Sequence, residues 1–122
     1  MKKRKPPVGV IGLGIMGGAM AEALLSAGHE VLGYDPAPAA RRRLERAGGH
    51  ALESSLAVAA RARTLVTSLP SSAALDSTLR QVRQARASPN SGRILVEMST
   101  LPIADKRRAQ AELARAGWTA LD

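Results

Sequence analysis

Short apolar runs alternate along this chain with longer stretches in which apolar residues recur every three or four positions. Val8 to Gly12, Glu30 to Tyr34, Thr64 to Ser68, Arg93 to Met98 and Trp118 to Leu121 have strand length, and a further short strand is expected around His50 to Leu52. The stretches between them predict helices. Ile15 to Ala27 places Met16, Ala19, Met20, Ala23, Leu24 and Ala27 on one face, and Gly28 follows as a terminator. Pro38 to Ala47 is expected to bury Ala40, Leu44 and Ala47. Ser54 or Ser55 is suited to cap a helix over Leu56 to Ala62, and the helix after Ser71 and Ser72 carries Leu75, Leu79 and Val82 on one side. Ser88 to Gly92 reads as a loop. Ser99 and Thr100 are expected to cap a last helix with Pro102 in its first turn, Ala109, Leu113 and Ala116 inward, and Gly117 at its end.

One junction carries chemistry. The first strand runs into Gly12, Gly14 and Gly17 and then directly into the first helix. In a strand-to-helix turn these three glycines have separate tasks: the tight turn, the close approach of backbone to a pyrophosphate, and close packing of helix on sheet. The helix start offers free N–H groups and the positive end of its dipole to an anion. The context is that of a dinucleotide-binding turn, so the alternating elements imply an α/β fold of the Rossmann type. A single domain with a doubly wound parallel sheet in strand order 3-2-1-4-5-6 is expected.

Asp35 ends the second strand, where a carboxylate accepts hydrogen bonds from the adenosine ribose hydroxyls. A 2′-phosphate would be repelled there, which favours NAD over NADP, although Arg41, Arg42 and Arg43 stand close behind and could turn towards a phosphate. The same carboxylate could instead cap the following helix. Leu69, Pro70 and Ser71 after the fourth strand, and Ser99 and Thr100 after the fifth, are expected to line the same crevice, because ligands bind beyond the carboxyl ends of strands where strand order reverses. As turn and cap residues, the serines also have a purely local use.

Composition narrows the classes. The 122 residues suit about one domain, read here as a basic flexible tail over 1–7 and a dinucleotide-binding domain over 8–122. Hydrophobic residues make up 45% but aromatics only 2%, which favours helix–sheet packing with small side chains over an aromatic-rich barrel. The absence of cysteine excludes disulfides, thiolate metal sites and a cysteine nucleophile. His29 and His50 have no second ligand at metal spacing, so no metal is expected. The net charge of +8 owes much to Lys2, Lys3, Arg4 and Lys5, and Tyr34 and Trp118 are the only aromatics available to stack bases. A nucleic-acid partner is therefore not expected. No run approaches the roughly 20 apolar residues of a membrane span, and a soluble, cytoplasmic chain with no membrane partner is the expectation.

Gly12-Leu13-Gly14-Ile15-Met16-Gly17, then Ala19-Met20-Ala21, Gly28-His29-Glu30-Val31, Leu69-Pro70-Ser71 and Glu97-Met98-Ser99-Thr100 resemble the N-terminal domain of the 3-hydroxyisobutyrate dehydrogenase family. These are the β-hydroxyacid dehydrogenases related to 6-phosphogluconate dehydrogenase. The resemblance runs from about Val8 to the end and implies NAD(P)-dependent oxidation of a small 3-hydroxy acid, or reduction of the semialdehyde. It implies that Gly12, Leu13, Gly14, Ile15, Met16 and Gly17 hold the pyrophosphate, Asp35 the adenosine ribose, Leu69 and Pro70 the middle of the cofactor, and Thr100 its nicotinamide side.

Three departures stand out. Ala74 occupies a place where the family commonly has Asn, and Glu97 stands for the usual Asp of D-x-S-T. The family's substrate loop would begin just after Asp122, with its catalytic lysine further on. Lys106, the only lysine outside the tail, is expected to be solvated, so no catalytic residue is assigned within the chain. The expected partners are a dinucleotide and either a missing C-terminal substrate domain or a second copy. The alternative is a free-standing nucleotide-sensing module.

Overall fold

The computed structural model describes residues 5–85 and 91–122. Residues 1–4 and 86–90 lie outside the described residues, and with them the first three residues of the predicted Ser88–Gly92 loop. The elements follow in the order β1 (Val8–Ile11), α1 (Ile15–Ser26), β2 (Val31–Tyr34), α2 (Pro38–Arg46), β3 (His50–Ala51), α3 (Ser55–Arg61), β4 (Thr64–Thr67), α4 (Ser72–Val82), β5 (Ile94–Glu97), α5 (Ile103–Arg115) and β6 (Thr119–Leu121). All strands pair in parallel in a six-stranded sheet of order β3-β2-β1-β4-β5-β6, as the alternation predicts. Ile11 stands opposite Tyr34 on one side and Thr67 on the other, so β1 is central and the strand order reverses beside it.

Strand alternation divides the apolar residues between two layers. Val8, Val10, Leu13, Val31 and Val66 join Ala21 of α1 and Ala40 and Leu44 of α2. On the other face, Ile11, Leu32, Leu65 and Leu95 join α3, α4 and α5 through Val58, Leu75, Leu79, Val82 and Leu113. Gly9 marks how closely the second layer approaches: a Cβ there would come within 2.5 Å of the side chains of both Val58 and Leu65. Trp118, 2% exposed, closes that layer and donates its indole N–H to the Ala85 carbonyl at 3.1 Å. Lys5 donates its ammonium to the Ala27 carbonyl at the end of α1, a cation at the negative pole of that helix.

The first helix turns a different face inward from the one its sequence suggests. Gly17 and Ala21 are buried and Met20, Leu24 and Leu25 partly so, while Met16, Ala19, Ala23 and Ala27 are exposed. Almost every residue of α1 is small or apolar, so periodicity carries little directional information. The orientation is set instead by Gly17, which must lie against the Gly12 carbonyl. Ala47 likewise is exposed, because α2 ends at Arg46. Ser54 caps α3, its hydroxyl accepting from Ala57 N–H at 3.0 Å, and Ser71 caps α4 by accepting from Ala74 N–H at 3.1 Å. Ser99 and Thr100 do not cap α5. That helix starts at Ile103 with Pro102 at its N-cap and no side-chain cap, because the Ser99 hydroxyl is drawn back to the β4 end.

Candidate cofactor-binding site

Beyond β1 the chain can make its turn only with glycine. Gly12 has φ +92°, in the left-handed region, and a Cβ on it would stand 2.0 Å from the Ser68 carbonyl oxygen. A Cβ on Gly17 would stand 1.7 Å from the Gly12 carbonyl oxygen. Gly14 differs, since a Cβ on it would meet nothing within 4 Å, so packing within the chain makes no demand for glycine there. Gly14 is also the N-cap of α1, without a side-chain hydrogen bond and without an acidic residue in the first turn. The first turn of this twelve-residue helix therefore offers its free N–H groups with no side-chain cap and no acidic residue of its own. Ile15 and Met16 beside them are 94% and 66% exposed.

Asp35 closes this turn from the neighbouring strand. One carboxylate oxygen accepts from Leu13 N–H and the other from Ala37 N–H, each at 2.8 Å. Arg41 donates to the Asp35 carbonyl at 2.7 Å. Asp35 does not cap α2, whose N-cap is Ala37 with no side-chain bond. It joins the glycine turn to the β2–α2 turn, and each oxygen keeps a further acceptor position for a ligand hydroxyl. Arg41 is held by the main chain next to this carboxylate, whereas Arg42 and Arg43 are exposed on α2.

A cleft of about 260 Å³ opens between the carboxyl ends of β1, β2 and β4, with Gly12, Asp35, Leu69, Pro70 and Ala74 in its walls. The turn, the acid and the Leu-Pro pair thus meet where strand order reverses, the location expected for a ligand in an open parallel sheet. Ser71 is spent on capping α4. Thr100 is exposed beyond β5 and is not in the wall of this cleft. A separate groove of about 330 Å³ runs between α1 and α2 past Gly14 and Ile15, but it lacks Asp35 and the Leu-Pro pair.

Behind the cleft lies a buried polar cluster that periodicity does not reveal. Thr67, Glu97 and Ser99 are 0%, 5% and 4% exposed. The Thr67 hydroxyl donates to one oxygen of Glu97, Ser99 N–H donates to the other at 2.6 Å, and the Ser99 hydroxyl accepts from Leu69 N–H at 2.7 Å. A carboxylate ending an otherwise apolar strand, with Ser two residues later, is the sequence signal for it. Lys106 also departs from expectation: its side chain is only 15% exposed and its ammonium lies 2.6 Å from an Asp122 oxygen, because the side chain lies along the α5–β6 edge. Away from the cleft, Arg108 has its pKa raised by the hydrogen bond and charge of Asp76. Among the described residues there is no group of three His, Cys, Asp or Glu placed to hold a metal, and no helix long and apolar enough to cross a membrane.

Residues 7–122 match the family model described as the NAD binding domain of 6-phosphogluconate dehydrogenase. The chain is similar to human mitochondrial 3-hydroxyisobutyrate dehydrogenase, at 30% identity over 118 residues, covering 97% of this chain and 35% of that protein. Among solved structures it is similar to the Mycobacterium tuberculosis 3-hydroxyisobutyrate dehydrogenase with L-serine, with 30% identity and a TM-score of 0.87 over 94% of this chain and 38% of that one. A Streptomyces aurantiacus imine reductase is also similar, at 30% identity and a TM-score of 0.83, covering 93% of this chain and 39% of that one. The chain thus spans little more than a third of the length of the relatives it matches.

Proposed function

The chain belongs to the family of the NAD binding domain of 6-phosphogluconate dehydrogenase, and from that premise we propose that it is the dinucleotide half of an oxidoreductase acting on a small 3-hydroxy acid. The observation that carries this reading is the meeting of Gly12, Asp35, Leu69 and Pro70 around one cleft at the strand-order reversal. In this reading the free N–H groups at the start of α1, with Leu13, Gly14, Ile15 and Met16 around them, hold the pyrophosphate without a charged side chain. Asp35 receives the adenosine ribose hydroxyls, Leu69 and Pro70 face it across the cleft, and Ser71 fixes that pair at the head of α4. Thr100 stands on the nicotinamide side.

No residue of this chain is assigned as the proton acceptor for hydride transfer. That group is assigned to a second, substrate-binding domain, in keeping with the 35% share of the human relative that the chain covers. NAD is preferred over NADP in this reading, because a 2′-phosphate would bring a second anion against a carboxylate held in place by two backbone donors. Arg41 donates one guanidinium N–H to the Asp35 carbonyl and keeps its charge beside this site, so it narrows the preference without supplying a second carboxylate-free pocket for the phosphate.

Calorimetric titration of the chain with NADH and NADPH in parallel tests both statements. NADH is expected to bind about tenfold more tightly, the scale of one close like-charge contact. Tighter binding of NADPH would overturn the NAD preference. Absence of binding by either dinucleotide at millimolar concentration would overturn the cofactor role.

A further inference from the structure

The last residue of β5 is a buried carboxylate. Ile94, Leu95 and Val96 are apolar, yet Glu97 after them is 5% exposed and projects into the space between the ends of β4 and β5. Burying a carboxylate is costly unless donors meet it. Here they do: Thr67, its register partner on β4, and the Ser99 main chain occupy one oxygen each. The main chains are joined as well, by Met98 N–H to the Thr67 carbonyl at 2.8 Å. These contacts alone could serve stability and nothing more.

The Ser99 hydroxyl extends the cluster towards the cleft. Leu69 N–H has left the β ladder and bonds to that hydroxyl, which is held in place by the Glu97 carboxylate through the Ser99 main chain. Leu69 also leans on the glycine turn, its side chain 3.2 Å from where a Gly12 Cβ would be, and the Ser68 carbonyl just before it sets the closest approach to Gly12. One continuous line therefore runs from Thr67 and Glu97 through Ser99 to Leu69 and the wall of the cleft opposite Asp35.

We infer that Glu97 is a positioning residue for the cofactor cleft, setting through Ser99 where Leu69 and Pro70 stand relative to Asp35 and Gly12. The inference rests on the proposed cofactor role of that cleft. Glu97 is not in the wall of that cleft, and its two oxygens face Thr67 and Ser99. A shift of the Ser99 turn would release Leu69 N–H, widen the cleft and loosen the Ser68–Gly12 contact together.

The test compares Glu97→Ala, Glu97→Asp, Ser99→Ala and the Glu97→Ala/Ser99→Ala pair in the whole chain, with NADH as the probe and Val82→Ala as a core control whose side chain does not line the cleft. Glu97→Ala and Ser99→Ala should each weaken NADH binding about tenfold, the scale of one lost hydrogen bond. The double variant should lose no more than the worse single one, because both act through the same tie. Glu97→Asp, whose shorter carboxylate still reaches the amide two residues on, should restore most of the affinity. Val82→Ala should lower Tm and leave NADH affinity unchanged. Independently of any dinucleotide, Leu69 amide exchange should accelerate in Glu97→Ala by about tenfold, although Glu97 does not contact Leu69.

The inference is overturned if affinity merely follows Tm across the set, or if Leu69 stays protected in Glu97→Ala. Should Glu97→Ala fail to fold, Ser99→Ala and Glu97→Asp carry the comparison. Failure of the unsubstituted chain to bind NADH or NADPH would remove the cofactor reading, and with it the cleft role, whereas the Leu69 measurement would still report whether the tie exists.

Discussion

Asp35 accepts a hydrogen bond from the main-chain N–H of Leu13 at 2.8 Å, across the gap between the end of β2 and the glycine turn after β1. The residue whose charge is assigned to cofactor choice is therefore also a fastening of the loop that would hold the pyrophosphate. Specificity and loop geometry are coupled through one carboxylate.

Asp35→Asn separates the two roles only in part. An amide has one oxygen for two donors, Leu13 N–H and Ala37 N–H, and must turn its NH2 towards one of them. A loss of about 1–3 kcal/mol in stability is expected from the unsatisfied donor, together with weaker NADH binding and a narrowed gap between NADH and NADPH. Thermal melts and paired titrations measure these outcomes. An unchanged NADH-to-NADPH ratio would remove Asp35 from cofactor choice.

Gly14→Ala and Gly17→Ala should fail in different ways. Gly17 has no room, since the new methyl would meet the Gly12 carbonyl oxygen at 1.7 Å and main chain cannot step aside cheaply. A loss of more than about 3 kcal/mol, or no folding, is expected. Gly14 has open space and φ −70°, which alanine adopts freely. Its substitution should leave Tm nearly unchanged and, if the turn receives the pyrophosphate as proposed, weaken NADH binding, because the methyl would stand in its path. Circular-dichroism melts followed by NADH titration separate the two.

Leu113→Ala tests the second core layer. Leu113 is 1% exposed under Trp118, and truncation there should cost about 2–5 kcal/mol through lost burial and the cavity left behind. Denaturant titration gives the value. The part of the population that remains folded should bind NADH as before, since Leu113 lies away from the Gly12–Asp35 cleft.

Arg108 should leave no mark on the pH profile. Its pKa is raised by the hydrogen bond and charge of Asp76, so any stabilisation is present below the unfolded pKa and is lost only as pH rises through the folded one, beyond the ordinary arginine range. Arg108→Ala is therefore expected to give a stability curve between pH 5 and 10 parallel to that of the unsubstituted chain, followed by thermal melts at physiological salt. A divergence within that range would show that Arg108 is linked to a group that titrates there.

Much of the candidate site's geometry was legible because it depends on residue types with one physical use. Gly12 and Gly17 are required by a turn and a close contact, Asp35 sits at the end of a strand, and Leu69-Pro70 follows another; these spacings survive without coordinates. The facing of α1 was not legible, because small apolar residues surround that helix and only the contact of Gly17 with Gly12 selects a face. Ser99 was equally ambiguous: a serine before a helix can cap it, and nothing local says that its hydroxyl is claimed by Leu69, thirty residues earlier.

The alternation of strands and helices, the strand order that comes with it, and the glycine turn with its acid are all readable from residue order, because they rest on periodicity and backbone sterics within one unit of the fold. Three relations took shape only in the packed molecule: which face of α1 is buried, that Asp35 holds Leu13 and does not cap α2, and that Glu97 reaches Leu69 through Ser99. Each joins segments distant in the chain. They are set by the register of parallel strands and by which buried donors find an acceptor, and both exist only once the layers have packed.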